Sequence, residues 1–303
     1  MQNNMRRFLI NENDSGQRLD KFILKLMPAL PKSMLYKGFR KNCVKLNNKH
    51  IKDGSVFLNA GDVLALYFKD EFFEKKDNFK YIKSDIDVVY EDENIIIVNK
   101  AVGVLSHSDE NGNGKTLIDM ICSYLYDKKE YNPDLELTFR PSLCNRLDRN
   151  TGGLVIAAKN AVALRAMNEN IKNRCVQKFY MAIVCGVPSL SGNIKTGLSR
   201  ENKVTKVNSD GVEASLSYKV LKSKNDRSLV EIELHTGRTH QIRAQFSHIG
   251  YPLVGDTKYG GSGDKYRQSL YASRLVFTAE KGNFFEYLNG VEIKIESSLE
   301  REF

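Results

Sequence analysis

Between Ile86 and Thr278 the chain alternates short β-branched and aromatic runs with polar connections, and few helical patterns intervene. The runs Ile86–Tyr90 and Ile95–Val98 flank Glu91-Asp92-Glu93-Asn94 as a hairpin. Leu154–Ala158, Lys178–Cys185, Ala214–Leu221, Leu229–Leu234 and Leu270–Thr278 read as further strands. Helical spacing is confined to Thr116–Tyr126, to Asn160–Ile171 with Leu164, Met167 and Ile171 on one side, and to a stretch capped by Thr239 with Ile242, Phe246 and Ile249 on its apolar face. So few crossing helices cannot wrap a wholly parallel sheet. The pattern predicts an α+β domain built on an antiparallel-rich mixed sheet.

The N-terminal quarter reads differently. Leu19, Phe22, Ile23 and Leu26 form a helical stripe that Pro28 and Pro31 end, and Ser33 is positioned to cap a second short helix carrying Leu35 and Phe39. Val44–Leu46, a turn at Asn47-Asn48, and Val63–Phe68 then predict a small sheet. Ten basic residues and one acidic residue, Asp20, lie between Arg18 and Lys52, and residues 1–80 carry +7 of the +9 net charge. A cationic surface on a compact pattern suits phosphate neutralisation, with Lys32, Lys37, Arg40, Lys41 and Lys45 as its candidates. The division predicted is a small α/β domain over 1–70, a polar linker over 71–84 and a larger domain over 85–303.

Several classes are disfavoured. No apolar stretch approaches a membrane span, and Met1–Glu12 lacks the long apolar run and cleavage site of a secretory signal, so a cytoplasmic protein is expected. The five cysteines are scattered and form no Cys-x-x-Cys pair, which points to free thiols instead of disulfides or a zinc site. There is no Gly-rich dinucleotide fingerprint and no phosphate-cradling loop, so no nucleotide cofactor is expected. No metal is expected either: His240 and His248 stand two helical turns apart without a carboxylate or third His nearby, a structural or RNA-contacting pair. No long apolar stripe marks a subunit interface, which favours a monomer.

The segment Asn145-Arg146-Leu147-Asp148-Arg149-Asn150-Thr151-Gly152-Gly153 feeds directly into the apolar run Leu154–Ala158. A polar loop anchored on a buried strand holds a reactive side chain firmly, and Arg146 and Arg149 supply positive charge on either side of Asp148. This segment resembles the signature of the RluA family of pseudouridine synthases, His-Arg-Leu-Asp, two variable residues, Thr-Ser-Gly. Asn145 stands for the His and Gly152-Gly153 for Ser-Gly. Three further blocks resemble the family in the same order: Ile96–Gly103, with Ala101 in place of its Pro; Gln177–Ala182; and Thr236–Arg243, continued by Gly250–Leu253 and Gly255–Gly260. The likeness spans about residues 85–280. Residues 15–68 resemble the alpha-L RNA-binding motif, shared by a small-subunit ribosomal protein and many RNA-modifying enzymes.

The resemblance implies a cofactor-free isomerase acting on structured RNA. Asp148 falls on the family's catalytic aspartate, which acts on the ribose either by attack at C1′ or by taking the C2′ proton. It further implies that Arg243 pairs with Asp148, that Tyr180 contacts the target uracil, and that Arg146 holds the space left by the everted nucleotide. Lys100, Lys178 and Arg238 are candidate phosphate contacts or local ion pairs. The basic N-terminal domain directs the expectation to large-subunit ribosomal RNA; a transfer-RNA synthase of the same family and a non-catalytic ribosome-assembly protein are the alternatives. A glycoside hydrolase would need two opposed carboxyl groups, and the sequence offers Asp148 without an evident partner.

Overall fold

The computed structural model describes residues 5–73, 79–83, 85–108, 115–202, 204–263 and 267–303. The N-terminal part runs β1 (Met5–Leu9), α1 (Leu19–Leu26), α2 (Lys32–Arg40), β2 (Val44–Leu46), β3 (Lys49–His50) and β4 (Val63–Tyr67). Its four strands form one sheet in the order β1-β4-β2-β3, every pair antiparallel. Leu19, Phe22, Ile23, Leu35 and Phe39 of the two helices bury against Val44, Leu64 and Leu66 of that sheet. The helix α2 begins one residue before Ser33. Pro31 occupies its cap position without a side-chain bond, and the Pro31 carbonyl accepts from the Met34 and Leu35 N–H groups. A proline supplies the fixed φ that a helix entrance requires, so a hydroxyl cap is dispensable here.

The larger part runs β5 (Asp87–Glu91), β6 (Ile95–Lys100), α3 (Leu117–Asp127), β7 (Ser142–Leu143), β8 (Gly152–Ala158), α4 (Ala161–Lys172), β9 (Val176–Cys185), β10 (Ser191–Glu201), β11 (Val204–Val207), β12 (Val212–Lys224), β13 (Arg227–Leu234), α5 (Gln241–His248), β14 (Leu270–Phe277), β15 (Glu292–Lys294) and α6 (Ser298–Glu302). The main path of its sheet is β11-β10-β12-β13-β9-β14-β8-β6-β5, with β15 beside β14 and β7 beside β8. Among the described residues all pairings are antiparallel except β8 with β14. The fold is therefore the antiparallel-rich α+β class that the strand pattern predicts. Thr116 and Asn160 cap α3 and α4 with their side chains, as their sequence positions suggest.

The strand β8 is buried along its whole length, which explains its unbroken apolar sequence. Val155 and Ala157 face one core with Leu117, Ile121 and Leu125 of α3 and Ile242 and Phe246 of α5. Leu154, Ile156 and Ala158 face the other core with Ala163 and Met167 of α4. Helices thus cover both faces around β8.

The parallel pairing joins Gly152 to Tyr271 and Gly153 to Ala272 and goes no further. At this narrow seam a Cβ on Gly153 would lie 2.1 Å from the Ala272 carbonyl oxygen, and φ is +113°. The second glycine of the loop is thus demanded by backbone approach as well as by conformation. Just upstream, Asn145 bonds to β8 itself: its Oδ1 accepts from Ile156 N at 2.8 Å, and its Nδ2 donates to Leu154 O at 3.4 Å.

The two parts are fastened by side chains of the segment before α1. Asn13 Nδ2 donates to Glu136 Oε1 at 2.8 Å, Thr138 Oγ1 to Asp14 Oδ1 at 2.5 Å, and Arg165 Nη1 to Ser15 O at 3.1 Å. Residues 74–78 and 84 of the predicted linker lie outside the described residues. Two of its described residues are anchored: Phe73 buries in the N-terminal core, and Ile82 N donates to Ser123 Oγ of α3 at 2.9 Å.

A Gly153→Ala substitution is expected to lower the melting temperature by about 6–12 °C, corresponding to about 3 kcal/mol of strain and seam disruption. Gly250→Ala, at φ +86° with open space around the added carbon, is the control and is expected to cost about 1 kcal/mol. Thermal unfolding of the two variants checks the difference.

Candidate active site

A cleft of about 540 Å³ opens where the loop before β8 meets the entrance of α5. Asp148, Tyr180, Arg146 and Arg243, which are far apart in sequence, all line it. Each is delivered by a different constraint. Leu147 is buried and its backbone is bonded through both N–H and C=O to Ser106 Oγ, which turns the next residue toward the cleft. Tyr180 sits in the middle of β9, flanked by Ile232 of β13 and Ala272 of β14. Arg243 belongs to the first turn of α5.

The Asp148 side chain is 22% exposed and its Oδ2 accepts from Arg243 Nη1 at 2.9 Å. Neither sequence neighbour supplies this cation. Arg146 is exposed on the cleft wall, and Arg149 Nε donates to the Gly103 carbonyl at 3.2 Å. On its other side Arg243 is held by Asp256, Nε to Oδ2 at 2.6 Å and Nη2 to Oδ1 at 2.8 Å. Asp256 is 2% exposed and does not line the cleft. Burial alone would weaken the guanidinium's charge. The bonds and charges of Asp256 and Asp148 outweigh that and raise its pKa above the ordinary arginine value. A fork grasping one carboxylate with two nitrogens and offering a third to another suits Arg and no other side chain.

Asp256 and Tyr259 join this arrangement without a role foreseen in the sequence, and so does His240, expected there as a structural or RNA-contacting residue. His240, not Thr239, takes the cap position of α5, with φ at +53° and no capping side-chain bond, and the helix starts at Gln241. The loop before it is fixed by Gln241, whose Oε1 accepts from Thr236 Oγ1 and from Arg238 N. This geometry carries the imidazole toward the carboxylate. Its Nε2 stands 3.7 Å from Asp148 Oδ2, and its Nδ1 lies 2.8 Å from Tyr259 Oη. Tyr259 Oη also accepts from Thr205 N–H, which fixes the ring beside the imidazole. Burial is the main cause lowering the His240 pKa, with Arg243 and Lys258 adding to it against the opposing pull of Asp148 and Asp256. His248 is exposed at the far end of α5 and makes no pair with His240.

The candidate phosphate contacts separate into two kinds. Lys100 is 1% exposed and donates to the carbonyls of Ala101, Val104 and Arg149 at 3.1, 2.8 and 3.2 Å. It is neither a phosphate contact nor part of an ion pair but a tie between the 101–104 turn and the Asp148 loop. Burial lowers its pKa to about 8, against the attraction of Asp148. Lys178 and Arg238 do line the cleft. Tyr180 is nearly enclosed, and burial, reinforced by the charge of Asp148, pushes its phenol pKa well above normal, so it stays neutral. Lys32, Lys37, Arg40 and Lys41 are exposed on and just after α2, and Lys45 lies over the Tyr67 ring; none of the five lines the cleft. Among the described residues no helix is long and apolar enough to cross a membrane, and no cluster of three His, Cys, Asp or Glu could hold a metal ion.

A part-apolar cleft lined by a carboxylate tethered to a buried cation is the form of an enzyme site, not of a flat binding surface. Residues 94–248 match the family described as RNA pseudouridylate synthase. A protein of Mycoplasma capricolum described as an uncharacterized RNA pseudouridine synthase is 34% identical over 94% of this chain and 95% of its own. The ribosomal large subunit pseudouridine synthase C of Buchnera aphidicola subsp. Schizaphis graminum is 30% identical over 97% of this chain and 94% of its own. Among solved structures, human RNA pseudouridylate synthase domain containing 1 shares the fold, with a TM-score of 0.53 and 23% identity over 72% of this chain and 86% of that one. The chain belongs to the RNA pseudouridylate synthase family.

Proposed function

We propose that this protein converts specific uridines of large-subunit ribosomal RNA to pseudouridine, with Asp148 as its one essential catalytic group. The observation that carries the reading is the Asp148 carboxylate lining the cleft, with Oδ2 tied to the buried Arg243 guanidinium at 2.9 Å. The reaction breaks the bond from ribose C1′ to N1, turns the uracil, and forms a bond from C1′ to C5. The hydrogen lost from C5 is balanced by one gained at N1, so nothing is oxidised and no group is added. An anionic oxygen directed at the ribose supplies what this isomerisation needs, by attack at C1′ or by removal of the C2′ proton.

The other roles follow from position. Tyr180 presents an aromatic face to the uracil, and its neutral phenol avoids repelling Asp148. Arg146, exposed at the mouth, occupies the gap left in the RNA when the nucleotide is everted. The exposed Lys32, Lys37, Arg40 and Lys41, with Lys45, bind backbone phosphates from the N-terminal domain over 1–70. The substrate reading draws on the relatives described as ribosomal large subunit pseudouridine synthase C, which align along 97% of this chain, its basic N-terminal part included. On this reading the enzyme works as a cytoplasmic monomer and takes no cofactor.

Asp148→Asn is expected to reduce pseudouridine formation by at least about 10⁴-fold while RNA binding survives. Carbodiimide-dependent reverse-transcription stops, mapped in RNA from cells with and without the gene, are expected to lose a stop in large-subunit ribosomal RNA. A stop lost from transfer RNA instead would move the substrate, and turnover by Asp148→Asn would refute the catalytic assignment. Replacing Lys37, Arg40 and Lys41 with Gln is expected to weaken RNA affinity. The slope of log affinity against log salt should flatten by about one unit for each phosphate no longer neutralised, with the melting temperature unchanged.

A further inference from the structure

The Asp148 carboxylate faces two hollows, not one. Beside the main cleft lies a second hollow of about 280 Å³, and Arg146, Leu147, Asp148, His240 and Arg243 line both. Their remaining walls differ in chemistry. The main cleft adds the aromatic and aliphatic side chains Tyr180, Leu234, Ile242 and Leu270, with the cations Lys172, Arg174, Lys178 and Arg238 also on its wall. The smaller hollow adds Ser106, His107, Arg149, Asn150, Lys258 and Gln268, with Leu105 as its other apolar side chain besides Leu147. Arg149 and Lys258 thus join Arg146 and Arg243 around a space whose single acidic lining residue, among the described residues, is Asp148.

We propose that the smaller hollow seats a backbone phosphate immediately flanking the target uridine, so that base and phosphate lie on opposite sides of Asp148 with the ribose over the carboxylate. The inference rests on the functional reading above and gives it an orientation. A nucleotide carries a flat base at C1′ and anionic phosphates at C3′ and C5′. The base fits the aromatic and aliphatic walls, and the phosphate fits the cationic ones. With Asp148 on the wall common to both spaces, this placement sets the ribose between those two groups beside the carboxylate.

The surroundings of the smaller hollow support an anionic occupant. The Arg149 backbone is anchored by Gly103 N–H at 2.8 Å and Lys100 Nζ at 3.2 Å on its carbonyl. Its Nε is used on the Gly103 carbonyl, while Nη1 and Nη2 make no hydrogen bond among the described residues. The fork's outer edge is therefore available at a fixed place. Burial lowers the pKa of both imidazoles on the wall. The pKa of His107 is lowered first by burial and then by Arg146 and Arg140, while Asp119 opposes. That of His240 is lowered first by burial and then by Arg243 and Lys258, while Asp148 and Asp256 oppose.

The test uses a synthetic RNA stem-loop containing the mapped uridine, either all-phosphate or with a neutral methylphosphonate at the linkage 5′ or 3′ to it. Wild-type enzyme is expected to lose about 10-fold or more in kcat/KM on one of the two methylphosphonates, chiefly through KM. The Arg149→Gln, Lys258→Gln double variant is expected to show a similar loss on all-phosphate RNA and no further loss on that methylphosphonate. Arg149→Lys, which keeps the charge, should retain discrimination against it. Indifference of the wild type to both methylphosphonates, or losses that multiply in the double variant, would overturn the subsite. Failure of the wild type to convert the all-phosphate RNA would contradict the functional reading itself, and the subsite with it.

Discussion

One guanidinium holds two carboxylates, and the site is organised around that sharing. Arg243 offers two nitrogens to Asp256 and a third to Asp148. The two partners are not equivalent. Asp256 is enclosed and grips the fork from behind, fixing its plane; Asp148 takes the remaining nitrogen and keeps an edge toward the cleft. A buried cation with a single partner would be free to swing, whereas the bidentate grip leaves one direction for the third bond. The price is burial of charge in the protein interior, and such a cluster is kept for specificity and chemistry more than for stability.

The sheet explains why this cluster can exist. Its strands pair antiparallel on either side of a seam only two residue pairs long, between β8 and β14. The Asp148 loop enters β8 at that seam and is tied down on several sides: by Ser106 at Leu147, by Lys100 and Gly103 at Arg149, and by Asn145 along β8. The position of Asp148 is thus fixed through its neighbours' backbone, so that the side chain itself remains available.

Much of this was legible in residues. The β-rich runs, the helices beginning near Thr116 and Asn160, and the unbroken apolar β8 follow from local periodicity, and they specify the α+β class. The strand β10 was not legible. Its inward residues Ile194 and Leu198 are four apart among polar residues and glycines, so the alternation that marks a half-buried strand is missing. The mostly exposed edge strand β1 hides for the same reason. In the site, Asp148, Tyr180 and Arg243 could be named because each falls in a recognisable block. Asp256 sat in such a block without a role, since nothing local says that it faces Arg243. Lys100 read as a surface cation because sequence shows a charge but not three carbonyls converging on it. The place of His240 beside Asp148 was hidden by its left-handed backbone, which displaces the helix start from the hydroxyl at Thr239.

The central claim is that the planar fork of Arg243, not merely a positive charge, makes Asp148 competent. Single-turnover conversion of saturating RNA by Arg243→Lys measures this directly, since lysine keeps the charge and loses the three-way geometry. The account predicts a rate reduced by about 100-fold or more in folded protein, with RNA affinity close to wild type. A variant that turns over at the wild-type rate would contradict it.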